Sequence, residues 1–328
     1  MQLTTGEDSH VNSIKDNSQF SSGKNRVSFE SAGFELVGDL YCPDDFDPGQ
    51  SYPAVVVGGP LASVKEQAAG VFARELATRG YLALAFDYRY YGESGGTPRA
   101  YENPSDKAED LKSAIGFMRN LKNVDSDRIV ALGVCASSSY VSQALIGETR
   151  VKAFATVSGY FNLRSFCLDN PFITEKQKAA SLTASNAARQ KYFETGVADR
   201  NDMIFPDMSG EQDEINMKEI HDYYFARVGE CWPNFSNHLT VFSYEQLLAS
   251  NAVDYAKYIA TPWLGVVGSE AFTLPVTEAF YEAKSEGEKD IVVIEGATHI
   301  KAYDDPAYVS QAVEAINQFY QQHLNKAA

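Results

Sequence analysis

The chain has 328 residues, a length for one large or two ordinary domains, and 44% of them are hydrophobic, enough to bury a sizeable core. Its 28 basic and 44 acidic residues leave a formal charge of −16, which argues against a nucleic-acid or anionic-membrane partner because no basic surplus is available to meet phosphates. No apolar run approaches the ~20 residues of a membrane helix, so no membrane partner is expected either.

The opening, MQLTTGEDSHVNS, has neither the basic nor the apolar region of a signal peptide. A cytoplasmic chain with reduced thiols is therefore expected. Residues 1–25 are polar and aperiodic and read as a tail. The segments RVSFES and FELVGDLYCP flank Ala32-Gly33 and predict a hairpin. YPAVVVGG (52–59) reads as a buried strand, and KEQAAGVFARELATRG (65–80) has helical spacing with Gly80 as its stop. YLALAFDY (81–88) is a second buried strand, followed by an amphipathic helix over 104–121 with an early proline. RIVALGV is a strand, SSYVSQALIG a helix, and VKAFATVSGY (151–160) another strand.

The alternation then breaks. Residues 163–250 lack continuous apolar strands and read as helices and loops rich in aromatics, among them Phe166, Phe172, Tyr192, Tyr223, Tyr224 and Phe235. TPWLGVVGS (261–269) resumes the strand pattern. A helix in PVTEAFYEAK, a strand in KDIVVIEGATH and a terminal helix in AYVSQAVEAINQFYQQHL complete the chain. Strands alternating with helices predict a mostly parallel sheet covered on both faces. Because the pattern resumes behind it, 163–250 is expected to be an insertion covering one end of the sheet.

In such sheets ligands bind at the carboxyl ends of the strands. Cys135 stands there, in Gly133-Val134-Cys135-Ala136-Ser137, between an apolar run and a helix. A strand, sharp turn and helix with small flanks lift the central side chain clear of the backbone. The helix N-terminus behind it is expected to favour the thiolate. Cys42, Cys167 and Cys231 read as small buried residues, and with no Cys-x-x-Cys pair no zinc site is expected. Of the five histidines, His10 lies in the tail, His221 and His238 lie in the insertion, and His323 ends the last helix, where it is expected to be solvated. His299, in GATH after DIVVIEG, is the one placed at a strand's carboxyl end to act as base. An oxyanion needs backbone N–H donors. Ala136 can offer one, and Leu61 in GGPLASVKEQ is the natural second.

GGPLASVKEQ, GYLALAFDYRYYGESGG, DRIVALGVCASSSY and EGATHIKAYDDPAYVSQAVEAINQFYQQHL, in that order, resemble the α/β-hydrolase fold and more closely its dienelactone-hydrolase-like and peptidase-like bacterial branch. The resemblance covers about 26–328. It implies a nucleophile at Cys135 and a base at His299, with Asp87 as a loop buttress rather than a catalyst. It departs from the pattern at Ser137, where a glycine is usual, and at the acid. In Gly268-Ser269-Glu270-Ala271-Phe272-Thr273 the acid's place falls on Phe272. Glu270, two residues earlier, is the candidate carboxylate. Asn162, or no acid at all, are the alternatives, since a thiol needs less help than a hydroxyl.

The expectation is one α/β-hydrolase domain with a helical lid over about 163–250. It would hydrolyse an ester, thioester or lactone, or transfer or cyclise the acyl group, through a Cys135 thioester. The partner would be a small-molecule acyl substrate, apolar or aromatic, with no metal or organic cofactor; a homodimer is left open. The rival reading is a catalytically inactive ligand-binding protein on the same fold.

Overall fold

The computed structural model describes residues 20–166, 174–203, 214–226 and 232–325. Most of the polar tail, with His10, and also Cys167, Phe172 and Cys231 lie outside the described residues. In chain order the elements are β1 (Gly23–Ser31), β2 (Phe34–Cys42), β3 (Tyr52–Gly58), α1 (Ala68–Ala77), β4 (Leu82–Phe86), α2 (Pro104–Arg119), β5 (Val124–Val134), α3 (Ser137–Leu145) and β6 (Ala153–Val157). Then come α4 (Glu175–Thr195), β7 (Arg200–Asp202), α5 (Glu214–His221), β8 (His238–Thr240), α6 (Ser243–Leu248), β9 (Trp263–Gly268), α7 (Leu274–Ala283), β10 (Lys289–Ile294), α8 (Lys301–Asp304) and α9 (Pro306–Leu324). The first strand starts at Gly23, inside the stretch expected to be tail, because Gly23–Ser31 finds a full antiparallel partner in Phe34–Cys42.

Eight strands form one sheet in the order β1-β2-β4-β3-β5-β6-β9-β10. β2 runs antiparallel to β1 and β4, and the other neighbours are parallel. The order reverses at β3. The crossover β3-α1-β4 steps one way and β4-α2-β5 steps back, so two right-handed crossovers put α1 and α2 on opposite faces. Strands covered on both faces have no solvent side, which is why β4 and β6 are buried at every position and read as unbroken apolar runs. α1 packs with α9, and α2 with α3.

Register brings the strand ends together. Gly58 pairs with Gly133, Val134 with Val157, Val157 with Val266, and Gly268 with Ile294. The loops after β3, β5, β6, β9 and β10 therefore emerge along one edge.

The segment between β6 and β9 stands outside this sheet. α4 opens on a capping box between Thr174 and Gln177 and stops at Gly196, which takes the left-handed conformation at φ 71°. α5 runs on through a wider turn over Asp222–Ala226. The sequence pattern predicts only helices and loops here. The structure adds β7 and β8, a three-residue antiparallel pair that builds its own two-stranded sheet; strands this short carry too little alternation to be read. Among the described residues no helix is long and apolar enough to cross a membrane.

Candidate active site

β5 ends in a turn that only small residues permit. A Cβ on Gly133 would come within 2.6 Å of the Ser137 carbonyl oxygen, so the strand can pass beneath the first turn of α3 only as glycine. Cys135 then adopts φ 55°, a left-handed conformation that costs a non-glycine residue of order 1–2 kcal/mol. Its backbone is held from both sides: its N–H donates to Val157 O (3.0 Å), and its carbonyl accepts from Ser138 N (3.0 Å) and Tyr160 N (3.0 Å). The side chain is buried, at 8% exposure.

Three groups meet the Cys135 thiol and favour its ionised form: the Tyr303 hydroxyl and the backbone N–H groups of Ala136 and Leu61. Leu61 and Ala136 thus converge on one point from two loops. Burial outweighs all three, and the thiol pKa is raised, not lowered as the helix N-terminus alone suggests. The reason is burial: a thiolate would lose its hydration in this enclosed position.

The loop that carries Leu61 is tied down at both ends. The Ser137 hydroxyl donates to Gly59 O and lies 2.9 Å from the Tyr88 hydroxyl. Asp87, wholly buried, accepts from Lys65 N (2.7 Å), Lys65 Nζ (3.0 Å) and Glu93 N (2.9 Å). Its carboxylate joins the loop after β3 to the loop after β4, which is the buttress role.

His299 is buried on the loop after β10. Its Nδ1 lies 3.0 Å from Thr273 Oγ1, and its Nε2 lies 2.8 Å from the Tyr303 hydroxyl. Phe272 stacks on the imidazole, ring centres 4.2 Å apart. Burial pushes its pKa down to about 3, so the ring is neutral. Ser158, at φ 48°, donates to the His299 carbonyl (3.1 Å) and fixes the loop.

Glu270 is not brought to His299. Its side chain is exposed, while its backbone N–H donates to Ala297 O (3.0 Å). That bond turns the loop so that Thr273, three residues on, faces Nδ1. Asn162 pairs instead with Asn251 at the foot of the insertion. His323 is buried beside Phe319 and within 3.2 Å of Glu288, not solvated, because the end of α9 packs against the sheet. His221 and His238 stand near Asp222 and Asp202 in the insertion.

Two residues escaped the sequence reading. Thr273 carries no signal beyond its place in the loop. Tyr303 had one: it lies four residues after His299 in HIKAY, the spacing that puts two side chains on one helical face.

Side chains from the segment between β6 and β9 pack against this group. Tyr223 and Tyr224 are buried, Tyr223 meets the Tyr303 ring edge-on at 5.3 Å, and Tyr224 stacks on Phe235. Glu219 of α5 accepts from the Thr298 hydroxyl (2.6 Å), one residue before His299. Among the described residues no three His, Cys, Asp or Glu side chains gather where a metal ion could bind.

This strand order, with a left-handed residue at a strand–helix turn and a histidine after the last strand, defines an α/β-hydrolase fold. No protein-family model matches the chain. It is 31% identical to YcjY of Escherichia coli (strain K12), an uncharacterized protein, over 92% of this chain and 99% of that one. It is also 31% identical to the uncharacterized PA2218 of Pseudomonas aeruginosa, over 91% of this chain and 80% of that one. The crystal structure of PA2218 superposes with a TM-score of 0.83 over 98% of this chain and 99% of that one. The chain belongs to the same family as YcjY and PA2218, and it has the α/β-hydrolase fold. The α/β hydrolase GrgF from Penicillium shares the fold, with a TM-score of 0.77 at 21% identity over 92% of this chain and 99% of that one. More distant relatives have named activities. Acyltransferase drtE of Aspergillus calidoustus is 25% identical over 90% of this chain and 95% of that one. Thiohydrolase aneE of Aspergillus aculeatus is 25% identical over 76% of this chain and 78% of that one.

Proposed function

We propose that this protein is an acyl-transferring enzyme with Cys135 as nucleophile and His299 as general base. One observation carries the reading: the N–H groups of Leu61 and Ala136 converge on the Cys135 thiol. Two backbone donors aimed at one point beside a nucleophile can receive the oxyanion of a tetrahedral intermediate, and each is worth about a hundredfold or more in rate.

In this mechanism the Cys135 sulfur attacks an acyl carbonyl and its proton passes to His299. The oxyanion is held by Leu61 and Ala136. Collapse breaks the bond to the leaving group, which takes the proton from His299, and leaves a thioester. Water gives hydrolysis of an ester, thioester or lactone. An alcohol or amine gives transfer, and a nucleophile on the same acyl chain gives cyclisation. The relatives named acyltransferase and thiohydrolase support both outcomes. Phe272, Tyr223 and Tyr224 around His299 and Tyr303 suit an apolar or aromatic acyl group, with the insertion as a lid that keeps water out.

Among the described residues no carboxylate contacts His299, and this favours a second reading: a ligand-binding protein that retains the fold without turnover. Incubation with a panel of acyl N-acetylcysteamine thioesters and p-nitrophenyl esters separates the two. The enzyme reading expects an acyl adduct on the Cys135 peptide by mass spectrometry and loss of turnover in Cys135→Ala. Turnover that survives in Cys135→Ala, or a panel without adduct or turnover, sinks it.

A further inference from the structure

Among the described residues no hydrogen bond joins Cys135 to His299 directly. The Tyr303 hydroxyl lies 2.8 Å from His299 Nε2, and it also meets the Cys135 thiol closely enough to shift its ionisation. We propose that Tyr303 is a catalytic residue, whose hydroxyl carries the proton between the Cys135 sulfur and His299. This rests on the reading of Cys135 as nucleophile.

The hydrogen-bond chain has a direction. With the proton of His299 on Nδ1, the imidazole donates to Thr273 Oγ1, which lies 3.0 Å away. Nε2 then offers its lone pair to the Tyr303 O–H, and the Tyr303 oxygen accepts the Cys135 S–H. Every proton from sulfur to threonine has an acceptor. In the opposite tautomer Nε2 carries the proton and has no lone pair to take another, and the Tyr303 O–H is left to turn onto the thiol sulfur, a weak acceptor.

The step balances without a co-reactant. As the sulfur pair bonds to the acyl carbon, the S–H bond breaks and its proton bonds to the Tyr303 oxygen. The original Tyr303 O–H breaks and that proton bonds to Nε2. Tyr303 ends neutral, and His299 ends as the imidazolium. A free tyrosinate never forms. That matters because burial together with the neighbouring Cys135, Tyr224 and Tyr223 holds the phenol well above its ordinary range.

Position supports the role. Tyr303 is 2% exposed on α8, fixed by Tyr303 N donating to Ile300 O (2.9 Å) and by Tyr223 against its ring. The titratable groups that face its hydroxyl are Cys135, His299, Tyr223 and Tyr224.

The test is the pre-steady-state burst of p-nitrophenol from p-nitrophenyl acetate, measured in mixtures of light and heavy water. The relay expects a curved proton inventory in the wild type, since two protons move in one step. Tyr303→Phe should slow the burst about a hundredfold, the size of a lost proton-transfer group, and straighten the inventory. A Tyr303→Phe burst at the wild-type rate, or a linear wild-type inventory, overturns the relay and leaves the nucleophile standing. A burst that persists in Cys135→Ala, or no wild-type burst, overturns the acyl-enzyme reading and the relay with it. The inventory of the wild type decides even if the variant folds poorly.

Discussion

The Ser137 hydroxyl donates to the Gly59 carbonyl, so the helix behind Cys135 is fastened to the loop that carries Leu61. A glycine at 137, usual in related elbows, has no group to make this bond. The same hydroxyl meets Tyr88, and Gly58 leaves room for it: a Cβ there would come within 2.7 Å of Ser137 Oγ.

Ser137→Ala and Ser137→Gly are expected to keep the fold at a cost of about 1–3 kcal/mol, because the Gly59 carbonyl and the Tyr88 hydroxyl lose a buried partner. If the tie positions Leu61, the first turnover slows about tenfold with little change in KM. Burst kinetics and urea unfolding on the same samples check this. Destabilisation without a rate change would make Ser137 a packing residue only.

Thr273 on His299 Nδ1 predicts an asymmetry between thiol and hydroxyl nucleophiles. A neutral threonine orients the ring but stabilises an imidazolium poorly, and a thiol tolerates that better than a hydroxyl does. Cys135→Ser is expected to fall at least a hundredfold below wild type. Adding Thr273→Asp to that variant should recover at least tenfold, whereas Phe272→Asp should not, since Phe272 covers the face of the ring. Ester turnover by the three variants decides it, and recovery through Phe272→Asp alone would refute this geometry.

Much of the fold was legible because strands buried on both faces leave unbroken apolar runs, such as Ala54–Val57 and Leu82–Phe86. The elbow was legible from the small residues around Cys135. What was not legible depends on distant contacts. Glu270 is a carboxylate in the expected loop, yet one backbone bond to Ala297 turns it outward and Thr273 inward. The raised thiol pKa comes from enclosure, which local sequence does not encode. His323 is buried by the strand and loop it packs against, so the polar end of a terminal helix misled.

His299 makes a pH prediction. Its folded pKa of about 3 lies below the ordinary 6.5. Between these values the unfolded chain binds a proton that the folded chain refuses. Stability therefore falls as pH drops below about 6.5, by up to about 1.4 kcal/mol per pH unit, until pH approaches 3. His299→Gln removes this contribution, so the urea midpoints of wild type and variant should converge between pH 7 and pH 4. Parallel midpoint curves would mean that the folded protein protonates His299 at little cost.

The contact between Glu219 and Thr298 leads to a prediction about access to the thiol. It is a 2.6 Å hydrogen bond from the loop beside His299 to α5, with Lys301 3.8 Å from the same carboxylate. Glu219→Ala removes both interactions without touching the groups around the thiol. Opening of the insertion should become easier, and limiting iodoacetamide should label Cys135 several-fold faster than in the wild type. Cys42 supplies the internal control. It sits at the end of β2, 2% exposed, with its thiol pushed up to about 12 by burial, and its slow labelling should not change. Peptide mapping resolves the two. Equal acceleration at both thiols would indicate global loosening, and no acceleration at Cys135 would mean that α5 does not gate the site.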